Sequence, residues 1–199
     1  MKTGIQFSFI PAYQAAVPVD QKVVNFTYTV FGDFGMITAS EPSDYAVTQA
    51  IQWNTKYIKF RYPSEHTLGG KQFALEMQIF HGADQWALYQ SLCVSGVGVI
   101  SVFFDVSTET PPVDSPFFTF LHDKTTPLDL SMLFTPDISL NNYIAGYIGT
   151  STVPNCERAV CYYLLNQPFS IGPDQLAKLK VEGVTANVRR VFKKAGAYK

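Results

Sequence analysis

Charge is scarce in this 199-residue chain: 16 % of residues are Asp, Glu, Lys or Arg, against 47 % hydrophobic and 15 % aromatic. That balance excludes a disordered chain and a coiled coil. No uninterrupted apolar run approaches the roughly 18 residues that a membrane-spanning helix needs, so no transmembrane segment is expected. Met1–Ala16 is apolar, but Gln6, Pro11, Tyr13 and Gln14 interrupt it and no cleavage signature follows. It reads as an extended end over residues 1–14, matched by another over 193–199, rather than as a signal peptide. The three cysteines, Cys93, Cys156 and Cys161, make an odd count without the paired CxxC spacing of a zinc site. Cys156 and Cys161 stand five apart, on opposite faces of any strand they share, so they are not expected to bridge each other. Cysteine usage sets no compartment.

Positive charge is missing from most of the chain and collects at its end. From Lys178 onward there are seven basic residues and one acid, Glu182, which leaves 8 basic and 15 acidic groups elsewhere. Such a tail is either a solvated terminal strand or a surface for an acidic partner. No aromatic-interleaved basic surface accompanies it, so nucleic acid is not an expected partner.

What is present is strand-forming. Val23–Phe31 is dense in β-branched and aromatic residues, and Gly32-Asp33 follows as a turn. Tyr57–Tyr62 alternates, with Ile58 and Phe60 on one face and Lys59 and Arg61 on the other. Phe73–Phe80 sets Phe73, Leu75, Met77 and Ile79 against Ala74, Glu76, Gln78 and Phe80. Gly96–Val106 is a nearly continuous apolar run, the pattern of a central strand covered on both faces. Cys161–Leu165 and Asn187–Phe192 add two more strands. The one clear helix signal is Ser170–Leu179, with Pro173 and Asp174 suited to its first turn and Lys178 and Lys180 to its last. Prolines 111, 112, 116, 127 and 136 make Ser107–Asn142 read as long surface connections. Asn25-Phe26-Thr27 fits the N-glycosylation pattern but falls inside a strand. The fold class is mainly β, in one domain over 1–199.

Two stretches carry a family signal. Phe60-Arg-Tyr-Pro-Ser-Glu-His-Thr-Leu-Gly-Gly-Lys71 followed by Ala74-Leu-Glu-Met-Gln-Ile-Phe-His81 resembles the core of the α-type carbonic anhydrases. Tyr147-Ile-Gly-Thr-Ser-Thr-Val-Pro-Asn-Cys156, with Gln167-Pro-Phe-Ser-Ile171 and Asp174-Gln-Leu-Ala-Lys178 downstream, resembles that family's later motifs. The resemblance covers about Ala15 to Phe192, and the part before residue 50 matches poorly. It implies a twisted, largely antiparallel central sheet with a few short helices.

The resemblance also implies a zinc ion held by three histidines, two from a His-x-His strand and one from its neighbour. That spacing works because residues two apart point to the same face. At the corresponding places this chain has Lys59, Arg61 and Gln78, and two of these are cations that repel a divalent metal. Only His66, His81 and His122 exist, and nothing in their spacing aims them together. Glu65 and Thr152 match the family glutamate and the threonine that donates to it, and Glu76 matches the glutamate that orients the third histidine. Phe80, Ser151 and Tyr162 depart from the family's apolar substrate wall, and Phe80 is bulky enough to fill the gas pocket.

The resulting expectation is a catalytically silent relative with no metal, no cofactor and no catalytic residue, kept as an interaction subunit of a larger assembly with protein partners. Thr108–Asp137 and the basic end are the candidate contact surfaces. A second reading makes Lys59 and Arg61 the floor of a site for an anion or an acidic glycan. A plainer one pairs them internally with Glu65 and Glu76. A carbon dioxide hydratase with a relocated metal is the least favoured.

Overall fold

The computed structural model describes residues 5–9, 25–40, 51–83, 96–123, 125–134, 144–152, 156 and 158–181. Their strands are β1 (Ile5–Phe9), β2 (Asn25–Phe31), β3 (Phe34–Ser40), β4 (Ile51–Arg61), β5 (Thr67–Leu68), β6 (Lys71–Gln72), β7 (Leu75–Ala83), β8 (Val97–Val106), β9 (Ile144–Thr150), β10 (Arg158–Leu165) and β11 (Phe169–Ile171). One helix, α1, spans Pro173–Val181. A nine-stranded sheet runs β1-β2-β3-β4-β7-β8-β10-β9, with β11 also on β8, and β5-β6 forms a small hairpin. Pairing is antiparallel except where β10 and β11 join β8. The mainly β, largely antiparallel architecture therefore stands as expected.

Alternation gives this sheet two unlike faces. Ile58 and Phe60 of β4, Leu75, Met77 and Ile79 of β7, Ile100, Val102 and Phe104 of β8, and Cys161, Tyr163 and Leu165 of β10 join one apolar cluster. The opposite face carries Lys59, Arg61, Glu76, Gln78 and Ser101, with a smaller cluster of Phe73, Phe80, Val99, Phe103, Val160, Tyr162 and Leu164. Phe73 corrects the expected pattern. It precedes β7 instead of continuing it, and packs its ring at a tilt against Phe103, 4.9 Å between centres, on the second face.

A bulge in β4 decides which residues reach that second face. Thr55 pairs with His81 and Tyr57 with Phe80, so Lys56 is the extra residue. Before the bulge, Trp53 belongs to the apolar cluster; after it, Ile58 and Phe60 do. One inserted residue inverts the alternation and delivers Tyr57, Lys59 and Arg61 to the polar face.

The apolar face is closed by a segment that the prolines suggested to be surface connection. A 3-10 helix at Pro116–Leu121 and another at Leu130–Met132 bury Phe117, Phe118, Leu130, Leu133 and Phe134. Phe118 meets Phe104 edge-on at 5.0 Å. The prolines do break regular structure, but the aromatic side chains between them contribute too much apolar area to stay in water. Helix α1 begins at Pro173, the residue expected in its first turn, and not at Ser170; Ser170 and Ile171 belong to β11. Gln175 fastens α1 to that segment, accepting from Ser115 N at 2.9 Å and Gly172 N at 3.1 Å and donating to Ser115 O at 2.9 Å. Cys156 is free and Cys161 is disulfide-bonded, so these two do not bridge each other. Asn25-Phe26-Thr27 lies in β2 between β1 and β3. The expected strand Asn187–Phe192 and the basic end beyond Val181 lie outside the described residues.

Candidate functional site

Register sets the polar face out as rows. Lys59 of β4 lies opposite Gln78 of β7, which lies opposite Ser101 of β8; Arg61 lies opposite Glu76. Lys59, Arg61 and Gln78 are thus brought together on neighbouring strands, with Glu65 and His66 supplied by the turn after β4. That turn holds its shape because Ser64 N donates to Phe73 O at 3.0 Å, while Ser64 Oγ donates to His66 O at 2.7 Å and accepts from Phe73 N at 2.9 Å.

Glu76 is the hub. Its Oε2 accepts from the backbone N–H groups of Glu65 (2.8 Å) and His66 (3.0 Å). Its Oε1 accepts from His66 Nδ1 at 2.6 Å and from Gln78 Nε2 at 3.0 Å. Burial alone would raise the carboxyl's pKa, but the hydrogen bonds and charge of His66, with Gln78, outweigh it and hold Glu76 below its ordinary value. The same Gln78 Nε2 donates to Glu65 Oε2 at 2.9 Å. Glu65 in turn pairs with Arg61, whose Nε lies 3.2 Å from Oε1; Arg61 is 8 % exposed. His66 Nδ1 carries the proton shared with Glu76, and its Nε2 is hydrogen-bonded to the Tyr147 hydroxyl at 2.6 Å, accepting in the neutral ring and donating in the imidazolium. Tyr147 stacks on Tyr162 at 5.0 Å, and burial, with Tyr162 and the charges of Glu76 and Glu65, raises its phenol pKa. Gln78 Oε1 and Ser101 Oγ, cross-strand neighbours, are buried without a hydrogen-bond partner among the described residues.

Of the two cations, only Arg61 takes the internal pairing with Glu65. Lys59 forms no ion pair among the described residues. Its Nζ instead lies 5.0 Å from the ring centres of Tyr57 and Phe80, themselves stacked at 4.6 Å. Burial first, and then the charge of Arg61, lower its pKa against an opposing pull from Glu65. Thr152 lies just past β9, and its hydroxyl makes no hydrogen bond to Glu65 among the described residues. Ser151 beside it is buried, and Tyr162 is buried with its hydroxyl donating to Thr150 O at 3.1 Å.

The three histidines do not converge. His66 belongs to this network. His81 lies on the other face between Gly98 O and the Tyr28 hydroxyl, each at 3.3 Å. His122 is on the surface, accepting from Lys178 Nζ at 2.7 Å. Two residues that the sequence reading did not single out complete the site: Tyr147, the last member of the hydrogen-bonded chain, and Tyr57, the outer ring of the stack. For Tyr57 the signal was available, two residues before Lys59 on one face; for Tyr147, Gly146 and Gly149 in β9 blur the alternation.

Fold and site together define a class, a β protein built on one large sheet with a charged, hydrogen-bonded floor on one face of its central strands. The chain belongs to the eukaryotic-type carbonic anhydrase family, whose sequence pattern matches residues 12–190. Carbonic anhydrase 3 of Equus caballus is 28 % identical over 134 residues, covering 59 % of this chain and 47 % of the relative. A carbonic anhydrase of Klebsiella pneumoniae is 25 % identical over 167 residues, covering 81 % and 64 %. The chain thus spans about half the length of the mammalian relatives it matches. In fold it is similar to the α-carbonic anhydrase of Photobacterium profundum, with a TM-score of 0.60 at 18 % identity, covering 96 % of this chain and 76 % of that one. Family membership implies zinc, but the side chains gathered on this floor do not fit it. An ammonium and a guanidinium have no lone pair to offer, and among the described residues no three His, Cys, Asp or Glu side chains are grouped to hold a metal ion.

Proposed function

We propose that this chain is a non-catalytic carbonic-anhydrase-like protein, in which Lys59, Arg61 and Gln78 occupy the positions of the family's three zinc histidines. The carrying observation is the closed network on the floor, Arg61–Glu65–Gln78–Glu76–His66–Tyr147, each link between 2.6 and 3.2 Å. In it Glu76 binds His66 and Gln78, so that the orienting carboxylate serves the turn after β4. What such a scaffold offers is surface, and we assign it the role of an interaction subunit, with the exposed parts of Thr108–Asp137 as its contact region.

Two measurements test this reading. The protein from its source should carry far less than one zinc per chain, lack carbon dioxide hydration, and run in a defined complex well above 22.2 kDa. The variant Lys59→His, Arg61→His, Gln78→His should gain zinc at one per chain, because the three positions already share one face. One zinc per chain with hydration in the natural protein overturns the non-catalytic reading; a clean monomer overturns the subunit role.

A second reading has one observation in its favour, the partly buried Lys59, which has no carboxylate partner among the described residues. It makes the same floor an anion site, tested by sulfate titration of the natural chain and of Lys59→Met.

A further inference from the structure

The anion reading leaves the aromatic pair beside Lys59 unexplained, and that pair narrows the ligand. Tyr57 and Phe80 are stacked with ring centres 4.6 Å apart, and Lys59 Nζ is 5.0 Å from each. The ammonium is thus within cation–π reach of both rings at once. Phe80 is buried, while Tyr57 is 47 % exposed. A rigid aromatic plane open to solvent, backed by a second ring and flanked by a partly desolvated cation, offers two kinds of contact at once. The plane suits the apolar C–H face of a sugar ring, and the ammonium suits an anionic substituent on that ring.

The same cross-strand row ends in a second such plane. Tyr57 pairs with Phe80, Phe80 with Val99, Val99 with Tyr162, and Tyr162 with Tyr147. Tyr147, stacked on Tyr162, is 43 % exposed. Four interstrand steps of about 4.8 Å place these two tyrosines about 19 Å apart. That span belongs to a short chain rather than to a single small anion. Charge complementarity limits the chain to an acidic one, because the charges beside the row that form no ion pair among the described residues, the Lys59 ammonium and that of the exposed Lys56 next to Tyr57, are both positive.

We propose that Tyr57 and Lys59 form a subsite for an acidic saccharide, a uronate or sulfated pyranose, stacking on Tyr57 and pairing its anionic group with Lys59, with Tyr147 as the second platform. This rests on the anion reading of the same site and names its ligand class.

The test is calorimetric titration of the purified chain with a heparin-derived tetrasaccharide, a neutral cellotetraose and sodium sulfate. The acidic tetrasaccharide should bind at least about tenfold more tightly than either control, and Tyr57→Ala and Lys59→Met should each weaken it by about tenfold. Tyr57→Phe should retain binding, and thermal unfolding of every variant shows that it is folded. If sulfate binds through Lys59 and the tetrasaccharide gains nothing, the saccharide proposal falls while the anion reading stands. If neither binds, both fall. Tetrasaccharide binding that ignores Tyr57→Ala and Lys59→Met also overturns the proposal.

Discussion

The two faces of the central sheet are built from alternate residues of the same strands, and they solve opposite problems. On one face Met77, Ile79, Val102 and Phe104 are fully buried among Phe117, Phe118 and Leu130, and what counts there is apolar area and shape. On the other, Glu76 and Gln78 are just as buried, yet each needs named hydrogen-bond partners to be there at all. The apolar face supplies stability; the polar face draws on it. A charged floor retained beneath an otherwise apolar fold is thus the feature that packing alone would not select.

The strongest way to break the contrast is to remove the residue that creates it. Deleting Lys56 abolishes the bulge, so that either Trp53 or the pair Ile58 and Phe60 must leave the apolar face. A shift of that kind exceeds the effect of nearly any point substitution, roughly 4–5 kcal/mol, and the protein should lose its cooperative urea transition. Retention of a native-like transition would mean that the bulge relocates and does not set the faces.

Next in size is a cavity on the apolar side. Phe104 touches Phe117, Phe118 and Phe169, so Phe104→Ala should cost about 3–5 kcal/mol in urea unfolding, with little effect on sulfate binding across the sheet. A loss of binding as large as the loss of stability would show that the faces are not separable.

How much of this contrast is legible in the sequence follows from the same physics. The strands around β2, β4, β7, β8 and β10 and the helix α1 announce themselves by alternation, apolar runs and end signals. Within Tyr57–Tyr62 the two faces read correctly. The bulge does not, because a period of two carries no mark of where it restarts; only the misfit between Trp53 and Ile58 hints at it. The closing segment was misread because Pro111, Pro112 and Pro116 report on backbone while Phe117 and Phe118 report on burial, and in a folded core burial prevails. The grouping of Lys59, Arg61, Gln78, Glu65 and Glu76 was legible from spacing and family resemblance together. Which carboxylate serves which cation was not, because His66 competes for Glu76 through a contact that only the turn's conformation creates.

Acid should act on both faces in succession. His81 is buried beside Tyr28 and its pKa is pushed from 6.5 down to about 4 by desolvation, against smaller opposing hydrogen bonds. The folded state therefore binds fewer protons than the unfolded one, and stability that is complete above pH 6.5 falls as pH drops toward 4. The difference of about 2.5 pH units corresponds to about 3 kcal/mol. Glu76, held below its ordinary 4.5, adds a loss that begins only below that pH. His81→Gln should flatten the curve between pH 6.5 and 4 and leave the more acidic limb. An unchanged curve would place the titration elsewhere.

The smallest effect separates network from necessity. Arg61 and Glu65 are a buried pair, and the attraction between such charges only roughly offsets what they lose on leaving water. Arg61→Met alone removes the cation paired with Glu65 and should destabilise by about 3 kcal/mol, and Glu65→Leu alone removes the carboxylate paired with the guanidinium at a similar cost. The double variant should return to within about 1 kcal/mol of the natural chain, or exceed it. Such a result would mean that the polar floor is not needed for the fold, which leaves a demand from outside the fold, a ligand or a partner, as the reason for its charge. Additive losses in the double variant would instead make the pair part of what holds β4 to its turn, and the two faces would differ less than their composition implies.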